Sequence, residues 1–418
     1  MSNLETISAS WVICDSWAGV AGTIALAISQ GGPVTLIYGP IATMILVGAC
    51  AMTLAEMASV YPTAGGQYHW TSILAPKSIN RSLSYCCGIT NMFSWIAICT
   101  GIAIIPAQLI SGIAVFYNPT YTPQPWHSFL IYQAINGLVL LYNITLLKRS
   151  LWIHDVSFVV TIASFLVIVI TCVARTSPNY EPSTAVWATF LNDSGWSSGG
   201  VAFLTGLVTP NYIVPIYEMW YQATRSGTAA TIFVILVVFA AIFALIGGQQ
   251  TASRLTWSLA RDHALIGSQW LSKTHPKFDV PVWSLLFNFV VMFIIGCVYL
   301  GSSSAFNAFI GTGLILQHIS YAFPAALLLY RKRSNIWLPR SRSFYLPGIV
   351  GWIMNIVTIC FAVVVLIFYN FPTTLPVTGT SMNYTSAVLG VMAIFAGLNW
   401  IICASRKYRG PRLHSGVE

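Results

Sequence analysis

Thr228-Ala-Ala-Thr-Ile-Phe-Val-Ile-Leu-Val-Val-Phe-Ala-Ala-Ile-Phe-Ala-Leu-Ile-Gly-Gly248 carries no charged side chain. A helix needs about 20 consecutive apolar residues to cross the roughly 30 Å hydrocarbon core of a bilayer, and this stretch is long enough. Outward from it, similar runs fall near 8–30, 34–58, 84–117, 128–147, 156–174, 282–300, 305–330, 346–369 and 385–404. With 228–248 they predict ten spans. An eleventh apolar segment, 201–217, is short and interrupted by Pro210 and Pro215.

Composition points the same way. Of the 418 residues, 7% are charged and 56% hydrophobic, and the mean hydropathy is +0.74. A soluble chain carries about 25% charged residues, so this one cannot clothe a surface in water. The expected fold is all-α and polytopic, one transmembrane domain over residues 1–418 with short loops. Met1–Ser10 lacks a basic leader region, so the first apolar run is expected to stay as a span. The nine cysteines form no C-x-x-C pair and read as small packing residues.

The net charge of +9 sits in short loops and not in a stripe interleaved with aromatics. This excludes a nucleic-acid partner and orients a membrane protein instead. All lysines and arginines except Arg175 and Arg225 fall in alternate loops, at 77–81, 148–149, 254–277, 331–342 and 406–412. The positive-inside rule places those loops, and both termini, in the cytoplasm. Two glycosylation sequons, Asn192-Asp-Ser194 and Asn383-Tyr-Thr385, fall on the opposite side, while Asn143-Ile-Thr145 lies inside an apolar run. Parity adds a constraint. The loop at 175–199 is outside and that at 249–281 inside, so 201–217 is expected to be a half-helix that enters the bilayer without crossing it. Its backbone must then be satisfied by protein or water.

The stretch Ala55-Glu-Met-Ala-Ser-Val-Tyr-Pro-Thr-Ala-Gly-Gly-Gln-Tyr-His-Trp70 closes the second span. Pro62 ends a helix there, Gly65-Gly66 permit unusual turns, and Tyr68 and Trp70 are expected to anchor at the membrane surface. This stretch resembles the amino acid–polyamine–organocation superfamily of permeases, in particular the fungal branch that carries amino acids, choline and γ-aminobutyrate. Ser16-Trp-Ala-Gly19 with Ser29-Gln-Gly-Gly-Pro33, and Ala252-Ser-Arg-Leu-Thr-Trp-Ser-Leu-Ala-Arg-Asp262, are similar to the same branch. So are His275-Pro276 with Val280-Pro281, and Gly301-Ser-Ser-Ser-Ala-Phe-Asn307.

The resemblance implies a five-plus-five inverted-repeat transporter fold with two extra C-terminal helices. It also implies first and sixth helices broken at mid-membrane around the substrate. Unwound backbone and half-helix ends suit the carboxylate and ammonium of a zwitterion. On this chain the implied site comprises Ser16, Trp17, Ala18, Gly19 and Gly22 at the first break, Thr209 and Asn211 at the sixth, and Asn91 of the third span. Without the family, Gly19 and Gly22 read as close-packing residues. The chain departs from the pattern after Gly206-Leu-Val-Thr-Pro-Asn-Tyr212. Ile216–Arg225 resembles the segment before helix eight, so the rest of helix six and helix seven are expected to be missing and the second repeat incomplete.

Two acidic residues are candidates for gating or coupling. Asp15 lies inside the first span, where charge is costly and serves function by default; a hydrogen-bonded helix-end residue is the plainer alternative. Glu56 closes the second span, either as a gate contact or as a solvated end. Asn91 and Trp95 sit one turn apart and reach either cavity or core, and Gln317 and His318 suit a proton relay or an interhelical bond. Arg254 and Arg261-Asp262 serve orientation and lipid contact, or a gate.

The function expected is secondary active transport of an amino acid or related amine, with a coupling proton implied by the resemblance. Partners are that small molecule, the proton and the lipid bilayer. No metal cluster, Ser–His–Asp arrangement or phosphate loop is present, so neither enzyme activity nor a cofactor is expected. The expected location is the plasma membrane, with a vacuolar or other internal membrane as the alternative. A non-transporting truncated isoform or a nutrient-sensor-like protein stands as the rival reading, and saturable uptake separates the two.

Overall fold

The computed structural model describes residues 3–147, 152–178, 180–207, 214–379 and 381–411. Among them the chain is an all-α polytopic membrane protein, whose one bridge of β type joins Gln30 to Asn192. The first apolar run gives two helices, α1 (Asn3–Cys14) and α2 (Ser16–Ser29). Then come α3 (Pro33–Val60), α4 (Gln67–Leu74), α5 (Asn80–Tyr117), α6 (Pro125–Thr145) and α7 (Trp152–Thr176). Short pieces follow: α8 (Ser183–Ala188), α9 (Gly199–Gly206) and α10 (Val214–Thr224). The remainder is α11 (Gly227–Arg261), α12 (Ser268–Leu271), α13 (Val282–Gly301), α14 (Ser303–Tyr330), α15 (Gly348–Phe368) and α16 (Thr385–Asn399). The last helix continues through a π-helical turn, Trp400–Ala404, to Lys407. Nine helices among the described residues are long and apolar enough to cross a membrane.

Local chemistry sets several boundaries. Pro33 opens α3 and Pro125 opens α6, where a missing N–H is harmless. Ser226 and Ser302 cap α11 and α14 through hydrogen bonds from Ala229 N and Ala305 N. The helix expected over 228–248 runs on to Arg261, so the basic loop is shorter than its charge pattern suggests. Gln249, Gln250 and the polar residues after them lower the hydropathy without ending the helix. Neither α9 nor α10 alone has the length to span.

The centre is α5, packed against α11 and α14 through small residues. Gly313 faces Ala97 so closely that an added Cβ would lie 2.9 Å from the alanine methyl, and Ser94 Oγ donates to Gly313 O at 2.8 Å. Lipid tails are as apolar as side chains, so helices in a bilayer associate through such close contact and polar bonds. Between α6 and α11 the bonds form a ladder. Gln249 Nε2 donates to Asn136 Oδ1 at 2.6 Å, Asn143 Nδ2 reaches Ile246 O at 3.3 Å, and Gln250 Nε2 donates to Asn143 Oδ1 at 3.3 Å. The sequon asparagine Asn143 is thus a buried structural residue.

The end opposite the basic loops is tied by loop contacts. Gln30 Nε2 donates to Thr373 O at 2.7 Å, Asp193 N to Ser29 O at 3.0 Å, and Trp196 Nε1 to Pro372 O at 3.1 Å. Asn383 spends its amide on Tyr369 O and Phe371 O, so that sequon also serves structure.

Replacing Gly313 by alanine is expected to cost about 1–3 kcal/mol through overpacking. Gly112→Ala, where nothing lies within 4 Å of the added carbon, should be neutral or stabilising by up to about 1 kcal/mol. Thermal unfolding in micelles checks the contrast.

Candidate functional site

The interruption between α1 and α2 falls at Asp15, one residue ahead of the expected Ser16–Gly19. Asp15 has φ +30°, outside the helical region and unusual for a residue other than glycine. Helical bonds resume on either side, with Asp15 N donating to Trp11 O and Gly19 N to Asp15 O. The two halves share α7 and α11 as neighbours but meet them at different levels. Ile13 of α1 packs directly on Gly247 of α11, where no Cβ fits, and Trp11 meets Phe158 of α7 edge to face at 5.9 Å. In α2, Ala18 joins a buried cluster with Leu109, Tyr217, Val234 and Val237.

The Asp15 side chain is only 5% exposed, and neither carboxylate oxygen has a hydrogen-bond partner in the protein. A buried carboxylate left unpaired is strongly unfavourable. Beside it, Ser16 and Trp17 line an apolar cavity of about 430 Å³ shared with Pro40 of α3, Phe165 of α7, and Met219 and Trp220 of α10. The Trp17 indole N–H is also unpartnered. An apolar chamber that begins one residue after a bare carboxylate, and is lined by Trp17 with its free donor, is chemically suited to a small organic cation.

The other expected residues are dispersed. Ala18 is core, and Gly19 and Gly22 lie within the continuous helix α2, so neither glycine unwinds the chain. Asn91 sits about 12 Å along α5 from Cys99, which packs at Gly248 beside the α1 contact. There its amide donates to Gln67 Oε1 at 3.0 Å, away from the break. Thr209 and Asn211 lie outside the described residues. Trp95 packs against the main core, Gln317 bonds Tyr321 OH on its own helix, and the His318 ring meets Phe361 of α15 at 4.6 Å.

Glu56 is neither solvated nor near Asp15's cavity. Fully buried at the basic end, it pairs with Arg333 at 2.5 Å and Arg342 at 2.8 Å and accepts from Leu346 N at 3.2 Å. Asn355, with its amide oxygen toward Arg333 Nη1 at 3.0 Å and its nitrogen toward Thr53, completes the network. Arg331 of the same loop donates to Leu74 O and Ala75 O, closing the C-terminal end of α4.

A second buried cluster was missed because its members were read singly. Tyr68 OH donates to Asp262 Oδ2 at 2.8 Å and lies 2.6 Å from Ser258 Oγ; His69 Nε2 is 3.7 Å from Asp262 and Arg261 Nε 3.5 Å. Tyr68 and Trp70 are therefore interior residues and not surface anchors. Burial, with the Asp262 charge added, holds the Tyr68 phenol well above its ordinary range, so it remains a donor. The signal available in sequence was a run of polar residues on α4 matched to an acidic residue closing α11.

Backbone is interrupted inside a bilayer only where the interruption faces protein or a cavity, and discontinuous helices of this kind suit a membrane transport protein. Comparison makes the class particular: the chain belongs to the amino acid permease family, which matches residues 4–212 and 206–394. It is similar to a choline transporter of Saccharomyces cerevisiae, 27% identical over 466 aligned residues that cover 97% of this chain and 80% of that protein. It is also similar to the transmembrane transporter swnT of Metarhizium robertsii, 29% identical over 98% of this chain and 92% of that one. A 7-keto 8-aminopelargonic acid transporter of Saccharomyces cerevisiae is 24% identical over 90% and 87%. The family is one of permeases, so this is a transport protein and not an enzyme. Its match divides into two blocks that meet at 206–212.

Glu56→Gln leaves two buried guanidinium groups without a counter-charge. It is expected to cost about 3–5 kcal/mol, read as a fall in thermal stability and in the amount of folded protein recovered from membranes.

Proposed function

We propose that this chain is a secondary active transporter of an amino acid or a related amine such as choline or γ-aminobutyrate, with Asp15 receiving the cationic group. The carrying observation is the bare, buried Asp15 carboxylate at the helix break. A group so placed gains from any cation that reaches it, whether a proton or a substrate ammonium. Competition between the two at one carboxylate links substrate movement to a proton gradient. Ser16 and Trp17 line the chamber beside it, and Thr209 and Asn211 remain part of the proposed site. Ala18, Gly19 and Gly22 belong to helix α2 beyond the break, while Asn91 and Glu56 belong to closures at the basic end, which the positive-inside rule puts in the cytoplasm. The plasma membrane is the proposed location, and the relative named for choline is consistent with an amine as substrate.

A second reading rests on a specific observation. The alignment to the choline transporter has 466 positions, more than the 418 residues of this chain. The family match also divides at 206–212, between two helices too short to span. These facts favour an inverted-repeat permease whose second repeat lacks part of helix six and helix seven. Such a chain suits a non-transporting isoform or a sensor.

Uptake of labelled choline, γ-aminobutyrate and amino acids in a permease-deficient host, with surface expression quantified, separates the readings. The transporter reading expects saturable uptake that falls with outside acidity, because outside protons compete with the substrate for Asp15. It also expects Asp15→Asn to lower uptake a hundredfold or more, the scale of about 3–5 kcal/mol for an unpaired buried charge. Stability should be unchanged or higher in that variant, since no protein hydrogen bond is lost. Surface-expressed protein without saturable uptake of any of these compounds would establish the second reading.

A further inference from the structure

We propose that the pocket between the α11–α12 turn and the π-helical end of α16 binds the headgroup of an anionic phospholipid. The pocket has a volume of about 450 Å³ and is lined by His263, Ser268, Gln269, Cys403 and Lys407, among others. It lies where two spans end, α11 at Arg261 and the final helix at Lys407. That is the level at which hydrocarbon gives way to headgroups.

Its floor is built. Asn399 Nδ2 donates to Ala264 O at 2.7 Å, and Asn399 Oδ1 accepts from Ile266 N at 2.9 Å, fixing the turn to the final helix. Ser268 Oγ bonds Leu265 O and accepts from Leu265 N, and Cys403 Sγ reaches Leu265 O at 3.5 Å. The next residues are pinned as well. Arg81 donates to the carbonyls of Ala404 and Ser405, and the buried Tyr408 bonds Ser84 at 2.8 Å. Lys407 is thus an exposed ammonium group held between two anchored neighbours. The π-helical turn at 400–404 is a local widening of the kind that proteins keep at functional positions.

The chemistry around this frame selects the ligand. None of the described lining residues is acidic, and the adjacent Asp262 turns its carboxylate to Tyr68 and Arg261. Arg406 and Arg409 are exposed close by in the chain. A phosphate group meets the Lys407 ammonium and no carboxylate among the described lining residues, while a choline headgroup would set its own cation against Lys407. Leu398, Ile401, Ile402 and Ile266 flank the pocket and are each more than half exposed. A polar cationic pocket bordered by bare aliphatic side chains fits a headgroup with its acyl chains alongside, and a free anion would leave that border unused. Trp270 and Trp283 pack edge to face at 6.0 Å nearby, both about half exposed, as aromatic residues do at a membrane interface.

The test uses the full-length protein in micelles and reads thermal unfolding against added lipid, with no transport step involved, so its outcome is separate from that of the uptake experiment. Phosphatidylserine and phosphatidylinositol are expected to raise the midpoint saturably, and phosphatidylcholine is not. Lys407→Gln should raise the half-saturating concentration about fivefold, the usual weight of one basic residue at an anionic surface. Gln269→Glu, which adds a repelling charge at an exposed rim position, should weaken binding at least as much and serves where the lysine variant fails to fold. Lys332→Gln, on the α14–α15 loop, should change nothing. Equal stabilisation by phosphatidylcholine, or unchanged affinity in both pocket variants, would overturn the proposal. An equal effect of inorganic phosphate alone would assign the pocket to a free anion and overturn the lipid reading.

Discussion

The backbone hydrogen bonds of a membrane helix have nowhere to go but the helix itself, and the molecule follows from where that rule is obeyed and where it is broken. Nine described helices obey it over a membrane's thickness. The first apolar run breaks it at Asp15, where the chain adopts a backbone conformation that non-glycine residues seldom visit. The break separates two short rods with different attachments. Packing on Gly247 holds α1 to one level of α11, and the Ala18 cluster holds α2 to another level of α11 and to α5 and α10. Between them stands a carboxylate that the protein leaves without a partner. Strain and desolvation coincide at one residue, and such coincidences mark places where stability has been given up for function.

At the basic end the same physics runs the other way. Glu56 and Asp262 are as buried as Asp15, but each is surrounded by donors. Glu56 joins the end of α3 to the loop before α15, and Asp262 joins the end of α11 to α4. Arginines whose placement orients the chain therefore also close its interior. The contrast among three buried acids distinguishes ion pairs that hold helices together from a group kept available.

Much of this architecture could be read from the residues. Apolar runs locate the spans because lipid imposes a length, and Pro33, Pro62 and Pro125 mark ends because proline lacks a donor. The extension of α11 to Arg261 was hidden because hydropathy reports contact with lipid and not helicity. The family resemblance implied a break at Ser16–Gly19, yet Gly19 and Gly22 remain helical and the aspartate takes the strained position. Tyr68 and Trp70 were misplaced for a related reason. An amphipathic aromatic suits an interface equally with an interior partner, and only the fold brings Asp262 to the tyrosine. Asn91, one turn from Trp95, was expected to face the cavity, although depth along α5 separates it from the first break. Partners of Glu56 lie hundreds of positions away in sequence, beyond any local pattern.

The direct measurement of the central claim is ligand-induced change in tryptophan fluorescence of the purified protein, comparing choline with 3,3-dimethyl-1-butanol, its uncharged carbon isostere. Trp17 lines the chamber beside Asp15, so occupancy there should be visible. A saturable change with choline, at least tenfold weaker with the isostere and equal for the two compounds after Asp15→Asn, is the result predicted. Equal responses to both compounds in the unaltered protein would show that the carboxylate takes no part in recognition and would contradict the account.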